Sequence, residues 1–251
     1  MLGIERRQKI IDKLRAEQKV FVAELAESLQ VTQETIRRDL EKLEDKGLLQ
    51  RSHGGAVLVA PGNEDLSFAR RTADNYDLKQ RIAVKAAGLI SDGASIMADS
   101  SSTVLALFEL LSMRRELTVI TNSVKILNDF AGASLNLVSC GGELRSHSLS
   151  LVGNTACRTL AAYNVDLAIF SCKGLDRDRG VTESNEPEAV VKQIMASQAK
   201  RTVLLADHTK FDQVVLAKTL DWEDIDCVIT DLQPGRKWVE LFKKNDIQLI
   251  C

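Results

Sequence analysis

The chain predicts a mixed α/β protein in two parts: a small helical head ending in a β-hairpin, then a larger α/β body with a mostly parallel sheet. Three observations carry this expectation. Three short segments of helical periodicity follow one another before Gly47. Two apolar strand-like runs then flank a Gly54-Gly55 turn. From about Leu78 onward, short apolar runs alternate with polar loops and amphipathic stretches, the grammar of βα units. The 251 residues leave roughly 190 beyond the hairpin, enough for one well-buried domain.

In the head, a helix from about Glu5 to Glu17 puts Ile10, Ile11 and Leu14 on one face. A second runs from Val22 to Leu29. Only Gln30 and Val31 separate it from a third that starts near Thr32, which is helix-turn-helix spacing. The Thr32 hydroxyl is placed to cap that third helix, and Glu34 suits its N-terminal dipole. At about 100° per residue, Ile36, Leu40 and Leu43 stack on one face while Glu34, Thr35, Arg38 and Lys42 turn to the other. Gly47 stops the helix, and Leu48 to Val59 forms the hairpin. Three helices and a hairpin make a winged helix-turn-helix, with arginines of the third helix offered to nucleic acid.

The run Ala60-Pro61-Gly62-Asn63 breaks the periodicity and opens a linker expected over residues 60–74. In the body, an amphipathic helix is expected over 78–90. Strands are expected at 95–98, 117–121, 135–139, 167–171, 202–206, 227–230 and 247–250, with helices at 103–111, 124–130, 152–160, 187–200 and 237–243. In such sheets ligands bind where loops leave the carboxyl ends of strands. Asp99-Ser100-Ser101-Ser102-Thr103 follows a strand and opens a helix, so its hydroxyls and free amides suit an anion and equally suit a plain helix cap. Polar or glycine residues also follow the strands at Thr121-Asn122-Ser123, Cys140-Gly141-Gly142-Glu143, Lys173-Gly174-Leu175-Asp176 and Asp207-His208-Thr209-Lys210. Five such loops can enclose one small polar ligand.

Composition removes several function classes. With 45% hydrophobic, 27% charged and 4% aromatic residues, and no apolar run of membrane-spanning length, a cytoplasmic globular protein is expected. Met1 to Arg7 lacks the apolar stretch of a signal peptide. The five cysteines show no Cys-x-x-Cys spacing, so free thiols are expected, with neither metal nor cofactor. His53, His147 and His208 accompany no nucleophile-elbow motif. Residues 1–57 carry 11 Lys/Arg against 10 Asp/Glu, so affinity for DNA must come from a local stripe rather than from net charge.

Residues 1–59 resemble the DNA-binding domain of DeoR-type bacterial repressors. The resemblance rests on three linked blocks: Glu5-Arg6-Arg7, Thr35-Ile36-Arg37-Arg38-Asp39-Leu40 and Arg51-Ser52-His53-Gly54-Gly55-Ala56. It implies that the third helix enters the major groove of double-stranded operator DNA while the wing touches the backbone or minor groove. The implied DNA-binding set is Arg6, Arg7, Gln33, Thr35, Arg37, Arg38, Lys42, Arg51 and His53. Residues 75–251 resemble the effector domain of the same family, which is similar in fold to ribose-phosphate isomerase and coenzyme A transferases. That implies a ribose-phosphate-isomerase-like α/β domain binding a phosphorylated sugar at Asp99, Ser100, Ser101, Ser102, Thr103, Asn122, Gly141, Gly142, Lys173, Asp176, Glu186 and Lys210. It also implies a homo-oligomer, dimer or tetramer, whose heads read paired half-sites.

Ser101 stands where many relatives carry glycine. Phe170 to Asp176, with Glu183-Ser184-Asn185-Glu186, resembles the branch of the family that controls deoxyhexose use. Trp222, Trp238 and Phe242 are candidate interface anchors or core residues. An isomerase-like enzyme is the alternative, with Asp176 and Glu186 as paired carboxylates moving a proton beside a sugar carbonyl. The lysine and glycine run that ribose-phosphate isomerases carry after their pair are missing, which favours binding without turnover.

Overall fold

The structure, a computed structural model, describes residues 3–17, 19–44, 49–52, 54–57, 67–112 and 114–251. The chain divides into two compact units, Met1–Arg70 and Arg71–Cys251.

In the first unit, α1 (Gly3–Glu17), β1 (Lys19–Phe21), α2 (Val22–Ser28) and α3 (Gln33–Glu44) precede β2 (Gln50–Ser52) and β3 (Gly55–Val57). Ile10 and Leu14 of α1, Leu25 of α2, and Ile36, Leu40 and Leu43 of α3 are buried together, as their spacing predicts. β3 pairs antiparallel with β2 and also with β1, adding a strand too short to show periodicity in the sequence. Gly55 permits that second pairing, because a Cβ there would lie 2.1 Å from the Val20 carbonyl oxygen. The Thr32 hydroxyl accepts from the Thr35 amide at 3.2 Å, capping α3. Thr32→Ala should therefore destabilise the head by about 1 kcal/mol, read as a shift in the urea midpoint. An unchanged midpoint would show the cap to be idle.

The expected linker needs correction. Residues 60–66 lie outside the described residues, but α4 (Phe68–Ala73) is helical, and the boundary between units falls inside it.

The second unit continues with α5 (Tyr76–Ala87), β4 (Ser95–Ala98), α6 (Ser102–Leu111), β5 (Leu117–Thr121), α7 (Val124–Asp129) and β6 (Leu135–Ser139). A short antiparallel hairpin, β7 (Glu143–Arg145) and β8 (Ser150–Val152), leads into α8 (Gly153–Leu160) and β9 (Val165–Ser171). β10 (Gly174–Asp176), β11 (Gly180–Glu183), α9 (Glu186–Ser197), β12 (Ala199–Leu205), β13 (Ala217–Leu220), β14 (Cys227–Ile229), α10 (Arg236–Lys244) and β15 (Gln248–Ile250) complete it. Every strand and helix expected in the body is present, with ends displaced by no more than three residues.

The main sheet has seven parallel strands in the order β15-β14-β12-β9-β4-β5-β6. Its central strands are covered on both faces, which is why β9 is apolar over most of its length instead of alternating. The hairpin β7-β8 and the small antiparallel sheet β10-β11-β13 were not expected, since polar and glycine residues break up these short strands and leave no apolar run to read.

Trp222, Trp238 and Phe242 are core residues. Their rings pack with Phe211 in edge-on and tilted contacts, Phe211 to Trp238 at 5.0 Å and Trp222 to Trp238 at 5.5 Å, so the interface role is set aside.

Candidate effector crevice and DNA-reading helix

From β4 the chain steps outward through β5 and β6, then returns to lay β9, β12, β14 and β15 on the other flank of β4. This reversal opens a crevice beyond the carboxyl ends of β4 and β9. Asp99 sits there, buried, its carboxylate accepting from the amides of Ser101 at 3.0 Å and Ser171 at 3.4 Å.

Lys192, from the buried face of α9, meets it. Its ammonium donates to the Ser171 carbonyl at 2.8 Å, lies 3.2 Å from Asp99 Oδ2 and pairs with Glu183. Burial alone would drive this ammonium down, but Glu183, Asp99 and Glu188 outweigh it and hold Lys192 charged above its usual range. Asp99 is raised, because its burial outweighs the attraction of Lys192.

Glu188 accepts from the Ser150 hydroxyl at 2.7 Å and lies 3.6 Å from Arg145 Nε. Burial opposes its ionisation, yet Lys192, the hydroxyls of Ser148 and Ser150, and Arg71 bring it down to about 2. A carboxyl depressed in the folded state stabilises the fold above its unfolded value, here 4.5, and loses that contribution as pH falls toward about 2. Asp99, being raised, acts in the opposite sense. Glu188→Gln should thus flatten the acid limb of a plot of melting temperature against pH. An acid limb as steep as the parent's would remove Glu188 from the balance.

Around this cluster, Ser100, Ser101, Ser102 and Thr103 are all buried. Ser101 is the cap of α6, its hydroxyl accepting from the Val104 amide at 3.2 Å. Its φ of −74° lies in the ordinary extended region, so serine sits there without backbone strain.

After β5, Asn122 binds β8: its side-chain Nδ2 donates to the Leu151 carbonyl at 3.2 Å and its backbone carbonyl accepts from the Leu151 amide at 2.7 Å. Turning the carboxamide would set Oδ1 against a carbonyl, so Oδ1 must be the other atom, and it is buried without a hydrogen-bond partner among the described residues. Leaving such an acceptor unpaired costs about 1–3 kcal/mol.

Gly141 and Gly142 have φ of +65° and +108°, and a Cβ on Gly142 would lie 2.4 Å from the Val152 carbonyl oxygen. Gly142 therefore serves the close approach of its loop to β8. Lys173 is half-buried beside the β9 end, its amide donating to the Thr182 carbonyl at 3.1 Å. Lys210, also half-buried, ends a single 3-10 turn, His208–Lys210, capped by Asp207.

On the head, Gln33, Arg37, Arg38 and Lys42 are exposed on α3 and Thr35 is half-buried. Arg37 and Arg38 lie 3.7 Å and 3.3 Å from Glu34, solvent-exposed pairs that cost little to exchange for phosphate. Arg6 and Arg7 depart from expectation. Both bind the buried carboxylate of Asp39 on the inner side of α3, Arg7 at 3.1 Å, and so brace α1 against α3 instead of facing DNA. Arg51 lies in β2, and His53 lies outside the described residues.

A profile of the DeoR-like helix-turn-helix domain matches residues 6–61, and one of the DeoR C terminal sensor domain matches residues 74–232. The chain belongs to the DeoR family. Its relatives include the Bacillus subtilis HTH-type transcriptional regulator YulB, 38% identical over 92% of this chain and 90% of YulB. The transcriptional repressor AccR of Agrobacterium fabrum is 35% identical over 90% and 89%. The L-fucose operon activator of Haemophilus influenzae is 34% identical over 98% of each chain. Among solved structures, ribose 5-phosphate isomerase A from Methanocaldococcus jannaschii superposes with a TM-score of 0.42 at 20% identity, over 55% of both chains. This DeoR-family chain is a DNA-binding transcriptional regulator with a small-molecule sensor domain, in a family named for regulation and not for catalysis. Among the described residues, no helix is long and apolar enough to cross a membrane.

Two effector-site expectations for this DeoR-family chain are corrected. The Asp176 carboxylate closes the β10-β11 turn, accepting from the amides of Asp178 and Arg179 at 3.0 and 2.9 Å. Glu186 is exposed at the start of α9. The carboxylates gathered with Asp99 around Lys192 are Glu183 and Glu188. Two residues along a helix turn the side chain by about 200°, which separates Glu186 from Glu188. The Glu188 to Lys192 spacing of four was the sequence signal for this cluster.

Proposed function

We propose that the protein represses a sugar-catabolic operon and is released from its operator by a phosphorylated sugar bound at the strand ends of the second unit. Asn122 Oδ1 is the observation that carries the reading: a buried acceptor without a hydrogen-bond partner among the described residues suits a ligand hydroxyl. The serine loop 99–103, Lys173 and Lys210 supply donors and positive charge for the phosphate. Repression is the sign carried by the name of AccR, whereas the L-fucose operon activator carries the other sign. The latter name also supports a deoxyhexose derivative as effector. The protein acts as a dimer or tetramer, because a nearly neutral head with few phosphate contacts needs a paired half-site to bind at physiological salt. The sugar acts as a switch through different affinities for the DNA-competent and incompetent arrangements.

A thermal-shift screen of phosphorylated sugars against their unphosphorylated parents tests this, since a ligand at 100 times its Kd stabilises the folded state by about 2.7 kcal/mol. One phosphosugar should raise the melting temperature selectively. Conversion of that compound to a product would replace this reading with the isomerase-like one. Lys210→Ala should lower affinity for the phosphosugar about tenfold, as expected for losing a charge-assisted hydrogen bond, with a much smaller effect on the unphosphorylated parent. Equal losses for the two would take Lys210 away from the phosphate.

A further inference from the structure

A second set of charged groups borders the crevice from the N-terminal side of the sensor unit. Lys79 lies on the buried stripe of α5 with Ile82, Ala83 and Ala86. Its ammonium donates to the carbonyls of Arg71 and Asp74 at the C-terminal end of α4. The Arg71 carbonyl accepts a second bond, from the Ser102 hydroxyl at 3.1 Å, and Arg71 Nη2 donates to the Ser148 carbonyl at 3.5 Å. Burial brings the Lys79 ammonium down to about 8 despite Asp207 and Asp74, with Lys210 and Arg71 adding repulsion. Lys79 and Arg71 thus touch or feel three elements at the crevice: the 99–103 loop, the Ser148–Ser150 segment beside Glu188, and the Asp207–Lys210 turn.

We propose that Arg71 and Lys79 form a further wall of the effector site, receiving its anionic group together with Lys210, and that occupancy thereby acts on α4. The inference rests on the sugar-phosphate reading and extends it to a route of response. An anion beside Lys210 competes with the Arg71 and Asp74 carbonyls for the Lys79 ammonium and with the Arg71 carbonyl for the Ser102 hydroxyl. Both are donors that hold the end of α4. Because the boundary between units falls inside α4, the element that loses its cap is the one by which the chain enters the sensor unit. Three clustered cations also resolve a cost: the repulsion among Lys79, Arg71 and Lys210 is relieved when a dianion binds among them.

Hydrogen–deuterium exchange on the full chain, with saturating inorganic phosphate against chloride of equal ionic strength, tests the proposal. The expected result is slower exchange in 99–103 and 207–210 with faster exchange over α4. Protected loops with α4 unchanged would overturn the coupling while leaving the effector reading in place. No change in any of these segments would overturn the anion wall itself, and the phosphosugar screen then decides separately whether the effector reading falls with it. Lys79→Gln should weaken phosphate binding about tenfold, the scale of one charge-assisted hydrogen bond, and Lys79→Arg should restore most of it. Parent-like affinity in Lys79→Gln would remove the lysine from the site. If that variant fails to fold, the exchange experiment on the parent chain decides.

Discussion

Lys192→Met should cost the sensor unit about 3–5 kcal/mol, the usual penalty for removing one partner from a buried ion cluster. Methionine fills the space of the lysine stem, so the loss isolates the charge from the packing. What remains is Asp99, Glu183 and Glu188 in one buried region without the ammonium that now lies 3.2 Å from Asp99 and is paired with Glu183. Burial already raises Asp99 with the lysine present, so it is the first of the three expected to take up a proton when the lysine goes. The variant should therefore bind protons on folding at neutral pH, and its deficit in urea denaturation should shrink as pH falls toward the carboxyl range. A deficit below about 1 kcal/mol, typical of a solvated surface pair, would show that water reaches the cluster. A deficit independent of pH would mean that packing, not charge, is what Lys192 contributes.

That cluster also marks where the sequence stops being legible. The repeating apolar runs of the body predict all seven strands of the main sheet, most clearly the central ones, whose covered faces demand apolar residues along their length. The polar loops after those strands predict the end of the sheet at which Asp99, Glu183, Glu188 and Lys192 gather. Which of Glu186 and Glu188 joins the buried cluster depends on the phase of α9, and residues 183–188 alone do not choose among Glu183, Glu186 and Glu188. Lys192 makes the choice from one turn beyond Glu188, once the folded chain brings Ser171 at the end of β9 and Glu183 at the end of β11 to its ammonium. Lys79 was not singled out from the sequence: its place among Ile82, Ala83 and Ala86 on the buried stripe of α5 emerges only from the fold. On the head, Arg6 and Arg7 look like DNA contacts because they are arginines near a helix-turn-helix. Only the packing of α1 on α3 reveals Asp39 as their partner.

Arg38→Ala should weaken operator binding by about 1–3 kcal/mol for each head that docks, the range for losing one well-placed arginine contact to DNA, or about 5- to 150-fold. Paired heads would double the free-energy loss and abolish binding at physiological salt. Arg38 is suited to this because its side chain is 73% exposed and its partner within the head is the exposed Glu34, so little is given up when it turns to DNA. Arg6→Ala provides the contrast: it removes a brace on buried Asp39, so it should lower the head's melting temperature first and DNA affinity only as a consequence. Salt separates two ways in which Arg38 can act. If it binds phosphate, affinity falls for operator and random DNA alike, and the slope of log affinity against log salt drops by about 0.9 for each lost contact. If it reads a base, the loss falls on the operator and the salt slope stays near the parent's. Unchanged operator affinity in Arg38→Ala, with the head folded, would move the reading surface off this face of α3 and reopen the role of the whole exposed set, Gln33, Arg37 and Lys42 included.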